Sequence, residues 1–435
     1  MEQSLKKRFL GNTGWLLAQN IYSMLLSLIV GSLSARYLGP SNYGLIGYGT
    51  SLVSLFTAIS RLGLDAVVIN EIITCPQKRG SYIGTALVMR LCASVLSIFA
   101  IEAFVLIIEP GNTDLLWITL FQAIAIVLQI HEIFNYWFQS ELKSKYVVIA
   151  SSIALTISSI WRIVLLKFGA NVYWFALSSS IQALVILLVT SIIFQRDFRS
   201  KLTCSFSDMK YLFSKSKHFI IANLAITIYT QTDKIMIGKF LNEEALGFYT
   251  AAMTVATLWE FVPQAIVNSA RPIVIKNRAS NYSDYIKKEQ YLLLVITGLG
   301  ILAGLGFTLF GKLVLHILYG EEYMSALSTL YILIWSTSLA MIGTARSVWI
   351  IAEELYAYQK NMVLIGAVLN VFLNIVLIKY IGINGAAIST LLSQISVQFI
   401  APLLFRETRM FVRIYFSSFR YLGEIAQDIT GIFRK

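Results

Sequence analysis

Apolar residues run through this chain in twelve stretches, separated by short segments rich in Gly, Asn, Pro and basic residues. The stretches cover about 13–36, 43–63, 82–108, 115–138, 146–167, 172–194, 218–240, 246–270, 289–310, 324–350, 361–380 and 385–405. A helix needs about 20 mostly apolar residues to cross a bilayer, and each stretch is that long. The joins YLGPSNYG, EPGNTD, KFGAN and YIGING carry the turn formers that end helices. Pro263 falls inside the eighth stretch. It should kink that helix, because proline lacks a backbone donor and clashes with the preceding turn. The pattern predicts an all-α polytopic membrane protein of twelve spans.

Composition agrees, since 57% of residues are hydrophobic and 13% charged, against about 25% charged in soluble domains. A net charge of +12 would also suit a nucleic-acid partner. Position argues against one. Of the 35 Lys and Arg, 25 fall at the two termini and in alternate loops, and 5 in the opposite loops. That asymmetry predicts both termini in the cytoplasm and no nucleic-acid partner. The basic loops also attract anionic membrane lipid. Cys75, Cys92 and Cys204 are odd in number and lack metal-ligand spacing, so neither a disulfide framework nor a metal site is expected. The start MEQSLKKRFLGNTGW lacks a small-residue cleavage site and reads as the approach to the first span. No P-loop is present, and no enzyme signature appears. Gly300 and Gly304, within GLGILAGLGF, form a GxxxG suited to close helix packing.

Shifting the chain by about 203 residues lays YLGPSNYGLIGYG at 37–49 on FLNEEALGFYTAA at 240–252, with Gly44 over Gly247. Six spans then follow six in the same orientation. The division predicted is an N-terminal six-helix bundle (1–195), a basic cytoplasmic linker (196–217), a C-terminal six-helix bundle (218–405) and a basic cytoplasmic tail (406–435). Transporters built from such repeats hold substrate between the halves and rock one against the other.

Polar residues inside the spans are the candidate site. Thr57, Arg61 and Asp65 are spaced to share a helix face, as are their repeat mates Glu260, Gln264 and Asn268. Asn20 falls on Asn223. Such residues either line a cavity or hold helices together by hydrogen bonds. Arg90 stands mid-span, Arg162 in the outer part of the fifth span and Arg346 near the inner end of the tenth. Arginine keeps its charge and binds phosphate bidentately, so these cations suit a phosphate-bearing ligand. Alternatively Arg61 pairs with Asp65, and Lys234 with Asp233 or Glu260, while Arg162 and Arg346 snorkel to the interfaces. Asp233, Glu260 and Asp65 are candidates for ion coupling, because an enclosed carboxylate can take up H⁺ or Na⁺. No other cofactor is implied. Glu102, Glu132, His131 and His218 lie near span ends and read as interfacial, and His316 belongs to an outer loop.

Four segments in order, ARYLGPSNYG, TDKIMIGKFLNEEALGFYTAA, ILYGEEYMSALSTLYIL and GINGAAIST, make the chain resemble one known family. It is the polysaccharide-transporter branch of the multidrug/oligosaccharidyl-lipid/polysaccharide exporter superfamily, with the likeness closest to the Wzx-like O-antigen flippases. The resemblance implies a V-shaped pair of six-helix bundles working by alternating access in a bacterial inner membrane. The implied cargo is undecaprenyl-diphosphate-linked oligosaccharide, an O-antigen or other surface polysaccharide unit, flipped from the cytoplasmic to the periplasmic leaflet. Coupling to H⁺, Na⁺ or the membrane potential is implied as well. The protein would act as a monomer, with polysaccharide polymerase and chain-length proteins as candidate partners. On this reading Arg61, Arg90, Arg162, Asn20 and Asn223 bind substrate, and Asp233, Glu260 and Asp65 respond to the ion. One departure is that Gln264 and Asn268 stand where the second span has Arg61 and Asp65. A drug/cation antiporter of the same superfamily is the first alternative, and would want an anionic cavity. A membrane polymerase or ligase is the second. Such enzymes usually carry a large outer loop, and the outer loops here are short.

Overall fold

The structure is a computed structural model that describes the backbone of residues 2–423. Side chains are described from residue 19 onward, apart from 222, 277, 279 and 280, and the final part of the basic tail (424–435) lies outside the described residues. The described residues are helical, without a strand, and form two compact units, one within 1–247 and one from 248 onward.

The first unit comprises α1 (Glu2–Ser60), α2 (Leu64–Thr74), α3 (Arg79–Ile108), α4 (Thr113–Leu128), α5 (His131–Ser140), α6 (Ser144–Phe168), α7 (Val172–Ala176), α8 (Ser178–Asp197), α9 (Phe206–Phe240) and the start of α10 (Glu243–Thr257). α1 holds both of the first two apolar stretches. It breaks at Gly39, whose φ of 69° a residue without Cβ adopts at little cost. The expected loop YLGPSNYG is thus a single-residue break, with Pro40 starting the second arm where a missing N–H costs nothing. That arm ends at Ser60. Leu62 (φ 52°) and Gly63 (φ 59°) then turn the chain into α2.

α9 begins within the segment read as linker and packs on α1 and α3. The residues just before it are strapped along α3. The Thr203 N–H donates to the Gly80 carbonyl at 3.3 Å, and the Ser205 N–H to Thr85 Oγ1 at 3.2 Å. A Cβ on Gly80 or Gly84 would sit 2.1 or 2.3 Å from the carbonyl oxygens of Lys201 and Thr203. Lys215 Nζ reaches Glu71 on α2 at 2.6 Å, and that hydrogen bond holds the ammonium pKa above its ordinary value. The repeat places its border before α9, whereas the packing border falls after it. The repeat mates Gly44 and Gly247 pack together. A Cβ on Gly44 would lie 1.7 Å from the Glu243 carbonyl oxygen and 2.6 Å from the Gly247 nitrogen.

The second unit contains the rest of α10, α11 (Phe261–Ser280), α12 (Tyr282–Tyr319), α13 (Leu327–Ala352), α14 (Tyr356–Ile395), α15 (Ala401–Leu404) and α16 (Arg409–Ser418). α10 and the Phe261–Lys276 part of α11 are bent by 44° across Leu258–Glu260, one turn ahead of Pro263, where the proline ring meets the preceding turn. Gly300 and Gly304 of α12 face Ser338 and Trp335 of α13, as the GxxxG reading expects. α16 buries Phe411, Ile414 and Tyr415 in the core beside Trp349 and Met341, and leaves Arg409 and Arg413 exposed. α14 breaks at Gly382 (φ 61°) and so also holds two apolar stretches.

Among the described residues, eight helical segments are long and apolar enough to cross a membrane, and the bent α10–α11 pair makes nine. α1 and α14 each contribute two stretches, and α9 is a further long helix, so the architecture is consistent with the twelve spans expected.

Candidate functional site

Two polar cavities open within the first unit. The first, of about 390 Å³, is walled by the second arm of α1, α4, α8 and α9. Thr50, Ser54, Thr57, Gln122, Gln129 and Thr230 are among its lining residues, and Arg61 lies at its margin. Gln122 is held in place by its own donors, Nε2 bonding Thr50 Oγ1 at 3.1 Å and the Ile46 carbonyl at 3.2 Å.

Arg61 does not pair with Asp65. Its Nη2 bonds Glu132 Oε1 at 2.6 Å, and the other carboxylate oxygen accepts from Arg90 Nη2 at 2.9 Å. One carboxylate therefore bridges two guanidinium groups. Arg90 is fully buried, and its Nε and Nη1 have no hydrogen-bond partner among the described residues. Arg61 is 48% exposed and reaches into the cavity, whereas Arg90 stands behind it and does not line it. Two helix interruptions produce this geometry. The break at Arg61–Gly63 ends α1 just before Arg61, and the break at Gln129–Ile130 separates α4 from α5, whose first turn carries Glu132. The break also corrects the spacing argument: Asp65 belongs to α2 and does not continue the face of Thr57 and Arg61. The interfacial readings of Glu132 and His131 are corrected too. Glu132 binds both arginines, and His131 beside it is buried.

The second cavity, of about 320 Å³, surrounds Arg162 of α6. Its other walls are the first arm of α1, through Gln19, Ser23 and Ser27, and α8, through Gln182. Asn20 is exposed beside Gln19 and lines neither cavity. Asn223 lies one turn before Thr227, accepts its hydroxyl at 2.8 Å through the backbone carbonyl, and is likewise outside the lining. Asp233 is buried on α9 with Lys234 next to it, both in the first unit.

In the second unit Glu260 stands on the break between α10 and α11, ahead of the face shared by Gln264 and Asn268, which hydrogen-bond each other at 3.5 Å. Arg346 does not snorkel. It is 1% exposed, its Nη1 donates to the Val397 carbonyl at 2.7 Å, and its guanidinium lies 5.5 Å from the Phe411 ring centroid. The π-turn Ser396–Ile400 accounts for this, because that geometry breaks the regular i→i+4 pattern and opens a carbonyl to a side chain. Glu289 is fully buried, with neither carboxylate oxygen hydrogen-bonded among the described residues.

Sequence reasoning missed the role of Glu132, Glu289 and, apart from Thr57, the hydroxyl and amide walls of both cavities. A signal existed for one wall: Gln19, Ser23 and Ser27 recur every four residues in an apolar run, which puts them on one helix face. Glu132 carried no such pattern.

Residues 9–277 match the sequence profile of a family described as polysaccharide biosynthesis protein. The chain is 28% identical over 200 residues to a probable low-salt glycan biosynthesis flippase of Haloferax volcanii, covering 43% of this chain and 40% of that protein. It is 26% identical over 186 residues to a probable flippase of the same organism, covering 42% and 39%. The matched part thus spans about two-fifths of the length of these curated relatives. Among solved structures, the lipid II flippase MurJ in an inward closed conformation superposes with a TM-score of 0.72 at 14% identity, over 95% of this chain and 92% of that one. An inward-facing multidrug resistance transporter of the MATE family gives 0.65 at 13% identity, over 90% and 94%. At these identities the likeness is one of fold.

Proposed function

The chain belongs to the polysaccharide biosynthesis protein family, and on that premise we propose that it is a flippase for lipid-linked oligosaccharide. The observation that carries this reading is the hydroxyl- and amide-lined cavity of about 390 Å³ with Arg61 at its margin, walled by helices of spanning length. Hydroxyls and amides both donate and accept hydrogen bonds, as a glycan requires. A guanidinium supplies the bidentate contact that a phosphate takes. Two probable flippases among the relatives point the same way. The cargo in this proposal is undecaprenyl-diphosphate-linked oligosaccharide, moved outward across a bacterial inner membrane by alternating access of two six-span halves, with both termini cytoplasmic.

In this scheme Arg61 meets the diphosphate, and Arg90 acts through Glu132 by fixing the carboxylate that positions Arg61. Asp233 and Glu260 take the coupling H⁺ or Na⁺, with Asp65 beside the Arg61 break as a third carboxylate. Cationic residues at the cavities disfavour a drug cation as cargo, since like charge in a low-dielectric site is repelled.

Reconstituted vesicles carrying a fluorescent lipid-linked oligosaccharide test the reading. Outward movement should make the label accessible to an impermeant quencher, and Arg61→Ala should slow it at least tenfold. Movement no faster than in protein-free vesicles, with correctly folded protein present, would reject the flippase reading. Restored surface polysaccharide in a strain lacking its own flippase would extend the result to cells.

A further inference from the structure

We propose that the cavity around Arg162 is a second ligand site, a receptor for one singly charged acidic group carried on a hydroxyl-rich body. Three other arginines each have a partner. Arg61 and Arg90 share Glu132, and Arg346 is met by the Val397 carbonyl and the Phe411 ring. Arg162 lies within the long apolar helix α6, yet among the described residues no carboxylate is paired with it, and the neighbour that acts on its charge is the Tyr43 phenol. A cation without a counter-charge at that position is costly in lipid, and a neutral phenol does not cancel it, so its charge is available to an anion that enters the cavity.

The cavity walls specify what accompanies that anion. Ser23 and Ser27 on α1, Ser159 on α6 and Gln19 and Gln182 present groups that donate and accept hydrogen bonds. Ser158 is already committed to the Ser178 carbonyl at 3.1 Å and helps fix α6 against α8. Apolar lining is confined to Val30, Leu155 and Ile186. A prenyl chain would strand these polar groups, whereas a sugar would satisfy them. One fixed charge matches one acidic group, a sugar carboxylate of the glycan. The site stands on its own geometry. Only the source of the ligand rests on the flippase reading.

Calorimetric titration of the purified full-length protein in detergent with methyl glucuronide, methyl glucoside and farnesyl phosphate decides the matter. The glucuronide should bind, with the neutral glucoside at least tenfold weaker. Arg162→Ala should weaken acidic binding about 10- to 100-fold, the range for a charge-assisted hydrogen bond. Arg162→Lys should recover part of it, keeping charge without the planar fork. Preference for the glucuronide assigns the site to an acidic sugar, whereas preference for farnesyl phosphate, which lacks the hydroxyl-rich body, overturns the proposal. Acidic probes that bind no tighter than the glucoside, or arginine variants that bind like the parent, overturn the proposal. If Arg162→Ala does not accumulate, Arg162→Lys and Ser159→Val decide, since unchanged affinity in both overturns it equally. Because binding is read without transport, Arg162-dependent binding in a protein that moves no lipid-linked oligosaccharide faults the flippase reading alone. Transport without such binding faults this site alone.

Discussion

At Glu132 a single carboxylate answers two guanidinium groups, so the cost of losing it is set by Arg90, the more deeply buried of the two. Stripping a buried ion of its partner typically costs about 3–5 kcal/mol, whereas the half-exposed Arg61 adds little. Glu132→Ala is therefore expected to lower the thermal midpoint in detergent markedly. Removing Arg90 as well should restore part of the loss, because no buried charge is then left alone. A double variant no more stable than Glu132→Ala would show that Arg90 does not depend on that carboxylate. Asp233 and Lys234 separate in a similar way. If Asp233→Asn stops export and Asp233→Asn/Lys234→Met regains it, the pair is structural and Asp233 is not the ion-coupling group. Arg61, Arg90 and Arg162 were legible in the sequence because charge is conspicuous in an apolar run. Glu132 was not, because distance from a span end was counted along a helix that in fact breaks at Gln129–Ile130.

Helices in the first unit approach one another through glycines. With 1.7 Å between a Cβ on Gly44 and the Glu243 carbonyl oxygen, even alanine forces the second arm of α1 away from α10. Overpacking of this kind costs about 1–3 kcal/mol. Gly44→Val should lower thermal stability by at least that much, and an unchanged midpoint would mean the crossing yields freely. The strap over α3 makes a second case. Gly84→Leu should lift Thr203 and speed proteolytic cutting near 200–205, while leaving the rest of α3 protected. The repeat alignment pointed to Gly44 and Gly247 as partners by position. That they touch is a property of the packed helices, since a small residue records a close approach without naming what approaches.

For the whole molecule, the question is where the first unit ends. α9 packs on α1 and α3, and the strap ties its start to Gly80 and Thr85. Residues 1–247 expressed alone in a membrane should therefore resist limited proteolysis across α1–α9. Residues 1–205 should be cut within α2 and α3, which lose the Lys215–Glu71 pair and the apolar cover of Leu212. Equal protection of the two fragments would make α9 dispensable to the unit. The border drawn from the repeat came from sequence similarity. Packing follows the surface a helix buries, which a repeat does not specify.

The sequence by itself determined the class of molecule. Long apolar runs can be stable only as helices in lipid, since every backbone polar group must be bonded within the segment. It also set the positions of the breaks at Gly39, at Gly382 and one turn ahead of Pro263, where local backbone chemistry acts alone. Tertiary structure decided which charges meet. Coulomb pairing depends on distances between helices far apart in the chain, and two helix interruptions moved Glu132 between Arg61 and Arg90 while leaving Arg162 with an open cavity.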